Sequence, residues 1–184
     1  MSSISKSERK LFVKKIGMLV VCTLLLAAGA WGQNGRHSTI TVTVDGLSCT
    51  TPAGTGMFSA LTWGFGATLP VTSSTAGAGN STGKASLSDV TITKRTDSCS
   101  PVLFGDVVMG GKIKKVTILQ QDGNKDDVFQ LTLEEVVISS YQLSGDEAHE
   151  VPTEQLTFNY KKITITDMIT GTKFGWNLAL NKGL

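Results

Sequence analysis

The sequence predicts an all-β domain with one short helix, built as a small β-barrel or a two-sheet sandwich. Three observations carry that expectation. From Ser38 onward apolar and polar residues alternate with a period of two in nearly every segment, the pattern of strands with one buried face. Turn-forming residues punctuate the runs, as in "DGNK" at Asp122 to Lys125. A single stretch, "SPVLFGDVVMGG" from Ser100 to Gly111, changes to helical spacing. Many alternating strands with a lone helix fit a closed or stacked antiparallel sheet better than a parallel one.

The elements follow in order. "TITVTVDG" alternates through Ile40, Val42 and Val44, and "SALTWGFGA" through Leu61, Trp63 and Phe65. The glycine-rich stretch "STAGAGNSTGKAS" (Ser74 to Ser86) reads as a loop, and "DVTITKR" then places Val90 and Ile92 on one strand face. In the helical segment Ser100 is the expected N-cap and Pro101 the first helical residue. Leu103, Phe104, Val107 and Val108 share a face, and Gly110 and Gly111 stop the helix. Residues 111–145 read as two long strands joined at "DGNK". "EQLTFNYKKITITDM" and "KFGWNLAL" supply the last strands, with a bulge expected where Lys161 and Lys162 interrupt the alternation.

The first 32 residues read as a signal peptide, leaving residues 33–184 as the domain. "MSSISKSERKLFVKK" carries Lys6, Arg9, Lys10, Lys14 and Lys15, and the apolar run "IGMLVVCTLLLAAGA" follows. Cleavage is expected after Ala30 (with Ala28) or after Gly32 (with Ala30), and the chain is expected in the periplasm or outside the cell. An uncleaved anchor is the alternative, but about 15 apolar residues fall short of the roughly 20 that a spanning helix needs. The mature chain is therefore expected to have no stable membrane insertion.

Removing the signal also changes the charge. The whole chain is formally +2, whereas residues 33–184 hold 12 Lys and Arg against 14 Asp and Glu, or −2. No basic stripe remains to suggest a nucleic-acid partner. Lys112, Lys114, Lys115, Lys161 and Lys162 read as solvated strand faces or guarded edges. Of three cysteines Cys22 leaves with the signal, so Cys49 and Cys99 form an even pair in an exported chain. They are a disulfide candidate, with two buried free thiols as the alternative.

Catalytic chemistry is sparse. Gly83 and Lys84 fit part of a phosphate-binding loop, but Ala78 stands where its first glycine belongs, Ala85 stands where its hydroxyl belongs, and a strand follows in place of a helix. His149 with Asp146, Glu147 and Glu150 reads as a solvated loop, because sequence neighbours rarely converge on one ion. His37 lies beside the cleavage site. No H-E-x-x-H occurs, and the one G-x-S-x-G string, Gly79 to Gly83, lies in the glycine-rich loop that a strand follows, so it is no strand-to-helix elbow. Asp45, Asp89, Asp97 and Asp106 lie at turns and element ends, and Trp63 and Trp176 on alternating strands read as core. The expectation is a protein with no catalytic residues, no metal and no cofactor.

The order of these pieces resembles the haemolysin-coregulated protein (Hcp) family, the tube proteins of bacterial type VI secretion. The matching runs are "VDGL" (Val44 to Leu47), "LTWG" (Leu61 to Gly64), "VTITKRTDSCSPVLF" (Val90 to Phe104), "VTI" at Val116, "LTLEEVVISSYQ" (Leu131 to Gln142), "EQLTFNYKKITI" (Glu154 to Ile165) and "FGWNL" (Phe174 to Leu178). T-K-x-x-D-x-x-x-P before a helix, with a terminal G-W-N strand, is specific in combination. It marks Trp63, Gly64, Lys94, Asp97, Pro101, Gly175, Trp176 and Asn177 as motif residues. The resemblance implies a tail-tube type of barrel or sandwich, homohexameric rings that can stack, and spike or effector proteins as further partners. It also implies that the loop carrying Gly77, Gly79, Gly83 and Lys84 serves assembly. Tube subunits of this family carry no cleaved signal, and that departure keeps open an exported binding or surface-assembly module of the same fold outside a type VI machine.

Overall fold

A computed structural model describes residues 37–72 and 81–184. Its principal strands are β1 (Thr39–Val44), β2 (Met57–Ala60), β3 (Thr62–Gly64), β4 (Val90–Arg95), β5 (Ile113–Gln121), β6 (Asp127–Ser144), β7 (Thr153–Asn159), β8 (Lys162–Asp167), β9 (Lys173–Asn177) and β10 (Lys182–Gly183). One helix, α1 (Ser100–Met109), stands between β4 and β5. The larger sheet runs β10-β9-β8-β6-β5-β1-β2, and the smaller one runs β6-β7-β4-β3. All of these pairings are antiparallel.

Strand β6 belongs to both sheets. Over Phe129–Glu134 it pairs with β8, and over Val137–Ser144 it pairs with β7. Between the two stretches Glu135 takes a positive φ of 54°, and the register with β7 shifts between Ile138 and Ser140. A bent, slipped strand of this kind lets one chain segment turn a sandwich corner. The layers therefore meet along one fold, and the path ends at β10, β2 and β3 without closing. Of the two expected architectures, the open two-sheet sandwich is the one found.

Alternation builds the core. Val42 and Val44 of β1 stand opposite Ile118 and Val116 of β5, which stand opposite Leu131 and Leu133 of β6; all are buried. The smaller sheet covers them with Val90 and Ile92 of β4 and Leu156 and Phe158 of β7, also buried. Each such side chain contributes about 1.5–3 kcal/mol by leaving water.

Four local expectations are corrected. The run Ser59 to Ala67 is two strands: the chain leaves the larger sheet after Ala60 and enters the smaller at Thr62, with Leu61 N–H donating to the Thr93 carbonyl at 2.8 Å. Lys161 and Lys162 are no bulge, because β7 ends at Asn159 and β8 begins at Lys162 in the other sheet. Cys99 is the cap residue of α1, and Ser100 is already helical with its hydroxyl turned inward. On α1 Leu103 is buried, but Phe104 and Val108 are 50% and 65% exposed, so the face expected to point inward is split. The helix stops where expected, with Gly110 left-handed at φ 67° and the Gly111 N–H donating to the Asp106 carbonyl at 2.8 Å.

The glycine-rich segment has ordered flanks. Ala67–Thr68 pairs with Ser86–Leu87, and Val71–Thr72 pairs with Ser81–Thr82. An interrupted two-stranded arm thus rises between β3 and β4. Gly83 lies on it, its N–H donating to the Pro70 carbonyl at 2.8 Å, and Lys84 is exposed beside it. Gly77 and Gly79 lie outside the described residues, as do residues 1–32 of the expected signal peptide.

Candidate functional site

Period two sets up the most unusual cluster in the molecule. On β4 Lys94 is in phase with Val90 and Ile92, and on β7 Glu154 is in phase with Leu156 and Phe158. Both charged residues therefore point inward, and the register places them opposite one another. Lys94 is 0% and Glu154 1% exposed. The Lys94 ammonium lies 2.5 Å from Glu154 Oε1, 2.9 Å from Asp97 Oδ1 and 3.3 Å from Ser100 Oγ. It also stands over the Phe58 ring at 5.1 Å. Tyr141 Oη donates to Glu154 Oε2 at 2.6 Å, and Ser100 Oγ donates to Glu154 Oε1 at 3.0 Å. No described buried side-chain nitrogen or oxygen lacks a partner.

This knot ties β4, β6, β7 and the start of α1 together. Asp97 does two tasks there, pairing with Lys94 and accepting the Cys99 N–H at 2.8 Å at the helix start. The Cys49–Cys99 disulfide, with Cα atoms 5.1 Å apart, fastens the segment after β1 to the same point. Pro101 fills the first turn, where a missing N–H costs nothing.

A serine next to a lysine can suggest a nucleophile and its base, but the hydrogen bonds argue against it. Lys94 Nζ donates to Glu154, Asp97 and Ser100, and the Ser100 hydroxyl donates to Glu154 and not to the lysine. Ser100 itself is committed to Glu154 and to the Asp97 N–H. Burial, followed by the Glu154 hydrogen bond, raises the Tyr141 phenol well above its ordinary value. The cluster is built to hold elements in place.

The terminal motif is also structural at each position. A Cβ on Gly175 would lie 3.0 Å from Leu184 Cβ and 3.1 Å from Thr164 Oγ1. Asn177 Oδ1 accepts the Leu180 N–H at 3.0 Å and holds the turn before β10. Trp176 lines a cleft of about 270 Å³ with Phe65, Leu87, Ile163, Ile165 and Phe174. Trp63 donates from Nε1 to Gln120 at 3.1 Å and stacks on Phe129 at 5.2 Å. Gly64 stands opposite Thr91 with open space where a Cβ would be, so its identity has no steric reason here. Among the described residues no group of His, Cys, Asp and Glu is arranged to hold a metal ion, and His149 pairs only with Asp146 at 2.8 Å.

Residues 34–166 match the profile of the family described as "Type VI secretion system effector, Hcp". This chain belongs to the Hcp family. The solved structures agree in fold. One described as a type six secretion system protein is 25% identical with a TM-score of 0.70, covering 80% of this chain and 100% of that one. Hcp1 from Salmonella typhimurium is 18% identical with a TM-score of 0.67, covering 80% and 99%. Secreted protein Hcp3 from Pseudomonas aeruginosa is 18% identical with a TM-score of 0.55, covering 76% and 96%. Comparison with curated proteins finds no match.

Within this Hcp fold, Lys94, Asp97 and Pro101 converge on one buried knot, while Gly175, Trp176 and Asn177 serve the far edge of the larger sheet. Trp63 and Gly64 belong to the edge of the smaller one. Sequence reasoning missed Glu154 and Tyr141. The signal was present, because a carboxylate in phase with Leu156 and Phe158 must find a cation, and Lys94 is the cation in phase on β4.

Proposed function

We propose that this Hcp-family chain is a non-enzymatic tube or secreted component of type VI secretion, acting as homohexameric rings that can stack and that meet spike or effector proteins. The single observation behind this is a full Hcp sandwich that leaves large apolar side chains exposed, with α1 and the end of β9 among the places where they lie. Phe104, Val108 and Met109 on α1 are 50%, 65% and 77% exposed, and Phe174 at the uncovered end of the larger sheet is 62% exposed. Large apolar patches on a single chain mark interfaces, and two unlike patches suit a head-to-tail contact that closes into a ring. Light scattering and electron microscopy on the purified protein test this, with rings of six as the expected result.

Residues 1–32 are proposed to be a removed signal that delivers residues 33–184 to the periplasm or beyond. No helix among the described residues is long and apolar enough to cross a membrane. Mass measurement of the secreted form should find Met1 absent, and an intact Met1 in a membrane fraction would reject the proposal. That charged, apolar leader favours a second reading, an exported binding or surface-assembly module of Hcp fold. Export that persists in a strain lacking the contractile sheath would favour it; export that stops would favour the tube component.

A further inference from the structure

We infer that the Cys49–Cys99 disulfide is a redox latch on assembly: oxidation fixes α1 and its exposed apolar face for ring closure, and the reduced chain holds that face too loosely to dock. This inference rests on the ring reading and adds its control. The segment between β1 and β2 forms a small flap. Thr50–Thr51 pairs with Gly54–Thr55, the Gly56 N–H donates to the Cys49 carbonyl at 2.8 Å, and the Val44 N–H donates to the Gly56 carbonyl at 2.9 Å. The disulfide carries this closed flap onto the residue that caps α1. Beside the bridge Ser98 Oγ donates to the Thr50 carbonyl at 2.6 Å. Both cysteines are buried, so the bridge lies beneath the flap.

The helix depends on that tie. With ten residues α1 has a length at which a helix is marginal without tertiary support. Its buried residues are Ser100 and Leu103, both near its start, while Phe104, Val108 and Met109 lie outward. At that start Asp97 Oδ1 accepts the Cys99 N–H, and the Cys99 carbonyl accepts the Leu103 N–H at 2.9 Å. The bridged residue therefore stands where the helix is anchored. With the bridge intact the outward face is presented in one position. Without it, a docking copy must also meet the entropy of ordering the helix, and binding weakens.

The chemistry follows the proposed route of the chain. The cytoplasm keeps thiols reduced, whereas compartments outside it permit disulfides. The looser flap of the reduced chain gives a disulfide oxidant access to the thiols. One cysteine thiolate attacks the oxidant's disulfide, releasing one thiol and leaving a mixed disulfide; the other cysteine then displaces the second thiol. Two electrons and two protons pass to the oxidant in all, and the Cys49–Cys99 bond forms. Single chains thus reach the export step, and rings form after it.

The experiment compares the purified protein oxidised, reduced with a phosphine, and reoxidised with glutathione disulfide, alongside Cys49→Ala combined with Cys99→Ala. Light scattering reads ring formation, far-ultraviolet circular dichroism reads the sheets, and hydrogen exchange reads each element. Reduction and the double variant are expected to raise the concentration needed for rings at least tenfold and to open α1 amides well ahead of those in β5 and β6, with the sheet signal kept. Reoxidation should restore rings in the parent and not in the variant. Reduced protein that forms rings like the oxidised form would overturn the latch while leaving rings standing, and so would loss of the sheets together with the helix. Oxidised protein with no rings would overturn the ring reading; the latch on α1 is then judged by exchange alone, and α1 amides as protected as those of β5 and β6 after reduction would overturn it.

Discussion

Lys94 has no contact with solvent, and it is held there by two carboxylates and a hydroxyl that meet its ammonium. Removing one partner leaves the others buried and uncompensated. Lys94→Met is therefore expected to cost about 3–5 kcal/mol in urea unfolding, and adding Glu154→Leu to Lys94→Met should recover part of that loss. The chain has two tyrosines, and both are pushed up. Burial, with the Asp89 charge behind it, raises Tyr160 from the ordinary 10.0 to about 12. The folded chain then holds the phenolic proton more tightly than the unfolded chain, so this contribution is intact below pH 10.0 and is lost as pH rises towards about 12. Tyrosinate absorbance should accordingly appear together with alkaline unfolding, and a transition near pH 10.0 in the folded protein would contradict the buried Tyr160 and the half-buried, Glu154-bonded Tyr141.

At the scale of elements, the Cys49–Cys99 disulfide closes a loop across 50 positions and fixes the start of α1. On the chain-entropy account, reducing it should cost about 4 kcal/mol, read as a lower denaturation midpoint with reductant than without. Intact mass before and after alkylation gives the direct check, and two freely labelled thiols in the native protein would refute the bridge. Gly175→Ala should cost about 1–3 kcal/mol by crowding Leu184 and Thr164, seen in the same denaturation assay. Strands such as β1 and β4 were legible because local alternation decides which face is buried; β9 was legible as a strand, but its buried phase is Gly175 and Asn177 while Phe174 stays exposed. The break at Leu61, the crossing at Asn159 to Lys162 and the kink at Glu135 were not, because they are set by where one sheet must give way to the other. The split face of α1 is similar: spacing put Leu103 and Phe104 together, but Leu103 is fully buried whereas Phe104 reaches only the Tyr141 ring of β6 and stays half exposed. The knot was half legible, with Lys94 and Asp97 singled out by a motif and their partners on β6 and β7 brought in by the fold.

For the whole molecule, an Hcp sandwich with exposed apolar surface on α1 and on the β8–β9 side makes sense as one subunit of an assembly. Its two sheets leave the end of the larger one uncovered, and in the proposed ring a neighbouring copy would supply cover that the chain itself lacks. Ring closure through the apolar patches is the central claim. Multi-angle light scattering of the purified protein, combined with negative-stain images of the same sample, tests it most directly. The account predicts a species of six protomer masses that images as closed rings, whereas a protein that stays monomeric at every accessible concentration and shows no rings would contradict it.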